Sequence, residues 1–194
     1  MPHPAPDILG CDLATQSGFG RGRAGEVPRL WTERFGDDDD THLKICSRAM
    51  GFIATLLTDD PPDAIYIETP MPLGAAMHGK SNAKSIVRLN SLYGIIGSAA
   101  ILKGVPVHDV NVKQARTVFI GEGNLKGQEA KRRCKAMCKL LGWPCDNRDE
   151  SDAGAIWHFG CCVEAPRLAV VIHPGMHKKL VRSYGSADAD LFHG

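Results

Sequence analysis

The sequence predicts one α/β domain built on a single sheet, and three observations carry that expectation. Short apolar runs of strand length are interleaved with stretches of helical spacing, in the order β-β-β-α-β-α-β-α-α before a closing helix. The chain has 194 residues, 43% of them hydrophobic, enough to enclose one sizeable core. Neither internal repeats nor a linker-like stretch divides it. Residues 1–167 are expected to form the domain and 168–194 an extension whose structure the pattern does not define.

Residues 8–13 read as a buried first strand, and residues 18–23 and 29–35 as two more, divided by the turn-prone Ala-Gly-Glu-Val-Pro. Residues 41–57 place Leu43, Ile45, Met50, Ile53, Ala54 and Leu57 at helical spacing, with Asp40 or Thr41 as the cap. After the breaker Asp-Asp-Pro-Pro, residues 64–67 form a short strand that delivers Glu68 at its end, and Thr-Pro-Met-Pro-Leu-Gly forces a loop.

Residues 82–102 carry Ile86, Leu89, Leu92, Tyr93, Ile96 and Ala100 along one side of a long helix. Lys80, Lys84 and Arg88 follow as a basic stripe at i, i+4 spacing. Gly94, Gly97 and Ala99 permit close approach of another element, either a second subunit or the core. Residues 105–110 read as a strand and 112–120 and 126–141 as helices separated by Gly121-Glu-Gly-Asn. The last helix runs from 149 to about 163. Beyond it lie one apolar run, 168–172, and a polar tail.

Composition excludes some classes. No uninterrupted apolar run approaches the roughly 20 residues that span a bilayer, and the N-terminus lacks the basic and apolar regions of a signal peptide. A cytoplasmic protein with no membrane partner is therefore expected. The seven cysteines include no CxxC pair, and an odd number argues against a closed disulfide framework. Reduced, partly buried thiols fit better than zinc held by Cys134, Cys138, Cys145 and His158, whose spacing matches no common zinc module. Net charge is only +1, but from Asn111 to Arg148 nine Lys/Arg face three acids. That local excess suits a polyanionic partner or, equally, a solvated helix face.

The chemistry lies in four carboxylates. Asp12 and Glu68 each follow a short apolar run, where polar residues should be sparse, and Asp149 and Asp152 share one helix face at i, i+3 spacing. Brought together they would repel one another severely unless a cation neutralised them. Hard oxygen donors suit Mg²⁺, with Mn²⁺ as a substitute, and predict a metal-dependent phosphodiester enzyme. Glu150 adjoins the pair but points about 100° away on a helix, so it reads as solvated. His173 and His177 share i, i+4 spacing, but no Glu lies between them as in His-Glu-x-x-His, and they read as surface or satisfied histidines.

In this order the acids resemble those of the RNase H-like nuclease superfamily and, within it, of RuvC-type Holliday junction resolvases. Gly10-Cys11-Asp12, followed by Thr15 and Gly18, resembles the family's first strand, and Glu68 its strand-end glutamate. Lys113 and residues 121–129 resemble its lysine-bearing helix and glycine-interrupted basic loop, and Asp149-x-x-Asp152-Ala153 its closing acid pair. The likeness covers residues 8 to about 163.

The resemblance implies an RNase H-like fold, a mixed five-stranded sheet flanked by helices. It also implies a homodimeric crossover junction endodeoxyribonuclease of DNA recombination and repair that nicks Holliday junctions or other branched DNA in symmetric pairs. Two ions roughly 4 Å apart are expected per site. Asp12 would bridge them, Glu68 and Asp152 would each hold one, and Asp149 would complete a site or orient water. Lys126 joins the acids as a catalytic residue. Lys113, Lys126, Lys80, Lys84, Arg88, Lys131 and Arg132 are the expected DNA contacts. In the loop at 69–79, where the family tends to place an aromatic probe, no Phe or Tyr stands; Met71 or Met77 is the apolar alternative, or both are simply exposed.

The alternative on the same site is an RNase H-like nuclease acting on RNA–DNA hybrids or flaps, although no feature for sensing 2′-OH groups is identifiable. An actin-like or sugar-kinase ATPase shares the Gly-x-Asp strand but needs two such domains. A non-catalytic junction binder would not need all four acids.

Overall fold

A computed structural model describes residues 4–37, 39–70 and 83–184. Its elements in chain order are β1 (Asp7–Asp12), β2 (Gln16–Arg23), β3 (Arg29–Arg34), α1 (His42–Asp59), β4 (Ala64–Glu68), α2 (Ala83–Leu102), β5 (Val107–Val110), α3 (Val112–Ile120), α4 (Gly127–Leu140), α5 (Arg148–Glu164) and α6 (Pro174–Tyr184). The five strands form one mixed sheet in the order β3-β2-β1-β4-β5. β1 runs antiparallel to β2 and parallel to β4, and β4 runs parallel to β5.

Side chains alternate across the sheet, so each strand feeds two separate cores. Leu9, Cys11, Ile65 and Ile67 face α1 and α2, where they join Phe19, Phe35, Ile45, Ile53, Leu92 and Ile96. Ile8 and Tyr66 face the other way, into a cluster with Phe119, Cys134, Trp143, Trp157 and Phe159. By the same period of two, Asp12 and Glu68 belong to the Ile8–Tyr66 face. The register sets Cys11 opposite Ile67, so the two acids emerge side by side at the C-terminal ends of adjacent parallel strands. α1 is capped as expected, the Thr41 side chain accepting from the Lys44 amide.

Glycine at two positions lets α5 lie directly on this face. A Cβ on Gly10 would stand 2.4 Å from the Trp157 nitrogen, and one on Gly18 would stand 2.1 Å from the Asp149 carbonyl oxygen. Any side chain there would drive helix and sheet apart.

One expectation changes. The basic stripe on α2 does not form a solvent-facing line: Arg88 is buried, 7% exposed, with its guanidinium 3.5 Å from the Asp40 carbonyl. The helix rolls that position inward over the loop preceding α1, which periodicity along one helix does not reveal. Lys84 is exposed, whereas Lys80, Met71 and Met77 lie outside the described residues. The apolar run 168–172, which the pattern leaves unassigned, forms turns and bends. The polar tail contains α6, whose buried Leu180 joins the α5-side core. α2 has the length and mean hydropathy of a membrane span, yet its Ile86, Leu92, Ile96 and Ala100 are buried inside the protein.

Candidate active site

Asp12, Glu68 and Asp152 converge on a cavity of about 410 Å³ that is also lined by Arg116, Lys131, Leu89 and Tyr93. β1 and β4 supply the first two acids, α5 the third, α3 the arginine and α4 the lysine. Asp149 stands one helical turn before Asp152 and joins the group through Lys131, whose Nζ lies 2.9 Å from Asp149 Oδ1 and 3.6 Å from Asp152 Oδ2. Arg116 donates to Asp152 Oδ2 at 3.1 Å. Gln16 Nε2 approaches Asp149 Oδ2 at 3.4 Å.

Burial, then repulsion from Glu68 and Asp152, raises the pKa of Asp12 well above the ordinary carboxylate range. Burial is also the main cause raising that of Glu68, whose carboxyl is hydrogen-bonded to Asp12. Each carboxyl therefore keeps its proton to a higher pH than a free one would. For Lys131, burial works against the charge, but Asp12, Asp149 and Asp152 outweigh it and its pKa rises. Burial likewise opposes the charge of Arg116, and Asp152 overcomes it.

The donor set fits a hard divalent cation on two observations. Asp12 and Glu68 are acids forced together in a cavity. Asp152 is 2% exposed, and its Oδ1 is buried with no hydrogen-bond partner, a costly state for a carboxylate oxygen unless a ligand satisfies it. Among the described residues no three His, Cys, Asp or Glu side chains already converge as a closed metal cage. The acids surround a cavity instead.

α5 owes its start to Asn147, whose side chain accepts from the Asp149 and Glu150 amides at 2.9 and 3.0 Å. Glu150 is not solvated: it is 7% exposed and accepts from the Asp146 amide at 2.6 Å and from Asn147 Nδ2 at 2.8 Å. The 100° rotation takes it away from the acids but into its own preceding loop.

The basic segment divides in two. Lys131 enters the cavity, and Arg132 pairs with Glu129 on its own helix at 2.8 Å. Arg133 bridges Glu122 and Glu129. Lys113, in the first turn of α3, and Lys126, the residue before α4, are both exposed and do not line the cavity. In the sequence Arg116 is only one member of the basic run; its spacing from Lys113 gives no sign that it meets Asp152.

The suspected zinc residues are otherwise engaged. Cys134 and Cys138 are buried, Cys145 Sγ donates to the Asn147 carbonyl at 3.1 Å, and the His158 ring bonds the Val170 carbonyl at 2.8 Å. The His173 and His177 Nε2 atoms are buried and have no hydrogen-bond partner.

No family model matches the sequence. Over 89 residues it is 29% identical to crossover junction endodeoxyribonuclease RuvC of Xylella fastidiosa, covering 46% of this chain and 51% of that protein. The same enzyme of Chlamydia felis is 27% identical over 109 residues, 55% of this chain and 61% of the relative. The chain thus spans about half the length of the first of these curated relatives. Thermus thermophilus RuvC, in a complex with Holliday junction substrate, superposes with a TM-score of 0.59 at 18% identity, covering 78% of this chain and 90% of that one. The yeast mitochondrial Holliday junction resolvase Ydc2 gives 0.57 at 13% identity, covering 96% and 85%. The fold is that of the RNase H-like nucleases, and the resemblance to RuvC-type resolvases extends through both sequence and structure.

Proposed function

We propose that the chain is a divalent-cation-dependent endonuclease that cleaves Holliday junctions, or closely related branched DNA, by paired symmetric nicks. The observation that carries this reading is the convergence of Asp12, Glu68 and Asp152 on one cavity, with Asp152 Oδ1 buried and unpartnered. Likeness to proteins named as junction endonucleases supports the substrate class.

Asp12, Glu68 and Asp152 would hold Mg²⁺ or Mn²⁺, which when bound activates water and offsets charge on the leaving oxygen. The chain's own part is positional. α5, pressed against Gly10 and Gly18, holds Asp152 beside the strand-borne acids. Arg116 fixes the Asp152 carboxylate through Oδ2 and leaves the buried Oδ1 without a hydrogen-bond partner. Lys113 and Lys126, both exposed, would take flanking phosphates and give register without base readout.

A homodimer matches the two-fold symmetry of a four-way junction. A Cβ added at Gly94 on α2 would meet no atom within 4 Å, and Ile101 and Leu102 are 66% and 87% exposed, leaving this helix face open to a second copy.

The test incubates wild type and Asp12→Asn with four-way-junction, flap, hybrid and linear DNA, with Mg²⁺ and with EDTA. Paired nicks in the junction, absent in EDTA and in the variant, are expected. Equal cutting of linear duplex sinks the junction assignment, and preference for the hybrid substitutes the alternative substrate.

A further inference from the structure

We infer that Lys131 is a built-in second cation of this site, so that the chain binds one divalent ion, through Asp12, Glu68 and Asp152 Oδ1. This rests on the nuclease reading for its chemistry, but not on which DNA is cut.

The carboxylate oxygens divide unequally. Both oxygens of Asp149 are engaged, Oδ1 by Lys131 Nζ at 2.9 Å and Oδ2 by Gln16 Nε2 at 3.4 Å. Asp152 Oδ2 is engaged by Arg116 at 3.1 Å and Lys131 at 3.6 Å, whereas its buried Oδ1 has no partner. Asp149 is therefore the anchor of Lys131 and not a free ligand, and three acids remain open to an ion.

Charge points the same way. Four carboxylates against Arg116 and Lys131 leave two negative charges, which one divalent ion cancels. Two divalent ions would leave an excess of two positive charges, while a phosphodiester brings only one negative charge. The Lys131 side chain is 30% exposed and lines the cavity, so it is neither sealed away nor loose in solvent. An ammonium is a compact point charge with three donors, enough to hold both aspartates and still donate to a phosphate oxygen in the cavity. The two-ion site implied by resemblance is thereby revised to one divalent ion plus one fixed lysine.

The test counts ions on the protein alone. Mn²⁺ is titrated into the purified chain and followed by calorimetry and by the electron paramagnetic resonance signal of the free ion. One Mn²⁺ per chain is expected for wild type and for Lys131→Arg, and two for Lys131→Met. Two ions on wild type overturn the inference, as does one ion on a Lys131→Met variant that melts like wild type. Should Lys131→Met fail to fold, the wild-type count still decides. Junction nicking gives a second readout: its dependence on Mg²⁺ concentration should have a slope near one in wild type and near two in Lys131→Met. A wild type that binds one Mn²⁺ but leaves branched DNA uncut sinks the substrate reading and supports this one. No Mn²⁺ on wild type overturns both.

Discussion

The two halves of α5 are equally buried and yet do opposite things. Every residue from Glu150 to Cys162 is shielded from solvent. In the C-terminal half the polar groups have protein partners: Trp157 Nε1 donates to the Gly22 carbonyl at 3.0 Å, and the His158 ring bonds the Val170 carbonyl. In the N-terminal half Asp152 keeps one oxygen without a partner and shares a cavity with Asp12 and Glu68. Burial alone therefore does not mark the functional end of a helix; incomplete satisfaction does.

The sharpest way to break that contrast is to neutralise the unsatisfied end. Asp152→Asn should lower junction cleavage by about 10³-fold, the scale of losing a group that acts on transition-state charge. Its melting temperature should move less than that of a core truncation, because the amide oxygen still accepts from Arg116. Thermal melts beside nicking rates decide this, and a variant that cuts normally would place the chemistry elsewhere.

At the satisfied end the expected loss is in stability. Trp157→Ala should cost about 3–5 kcal/mol in urea unfolding, with the rate per folded molecule little changed. A rate loss far beyond the unfolded fraction would mean that both halves serve the site.

The satisfied end of α5 and the strand acids that face its other end differ in the sign of their pH dependence. Burial lowers the pKa of His158 from 6.5 to about 4, so between those values the unfolded chain binds more protons than the folded one. Stability should rise with pH across that window and be lost as pH falls from 6.5 towards 4, by up to about 3 kcal/mol. Asp12 and Glu68 are raised, so the folded state binds the extra protons, and the ion-free protein should lose stability as pH climbs above their ordinary values of 3.8 and 4.5. Urea unfolding from pH 4 to 8 with His158→Gln separates the two, since the variant should lose only the first slope.

The smallest effect belongs to the cap. Asn147→Ala removes the acceptor for the Asp149 and Glu150 amides and should cost about 1 kcal/mol. It should weaken Mn²⁺ binding no more than severalfold, which titration can measure.

Much of the site is legible in the residues. Asp12 and Glu68 can be read because each ends an apolar run of strand length, and the alternation of strand side chains then fixes their common face. Asp149 and Asp152 can be read from helical spacing. Lys131 and Arg116 cannot be assigned to the acids, because their meeting depends on how α4 and α3 pack against α5, and no local pattern encodes that angle. Glu150 and Arg88 depart from expectation for a shared reason. Rotation about their own helix places both in solvent, and the neighbouring loops that bury them lie outside that geometry. The tail helix escapes notice because one buried leucine among polar residues leaves little periodic signal.

Contact between α5 and the glycines of β1 and β2 works as a key in a slot. The places opposite Trp157 and Asp149 have room for a hydrogen atom and nothing larger. A slip of one residue along the sheet would bring side chains onto those places, so the helix has a single allowed phase. The spacing between Asp12 and Asp152 is thus set by steric exclusion, not by their own attraction or repulsion. Charge at the site can change through protonation, ion binding or a passing phosphate, and the frame that aims the acids has no freedom to follow.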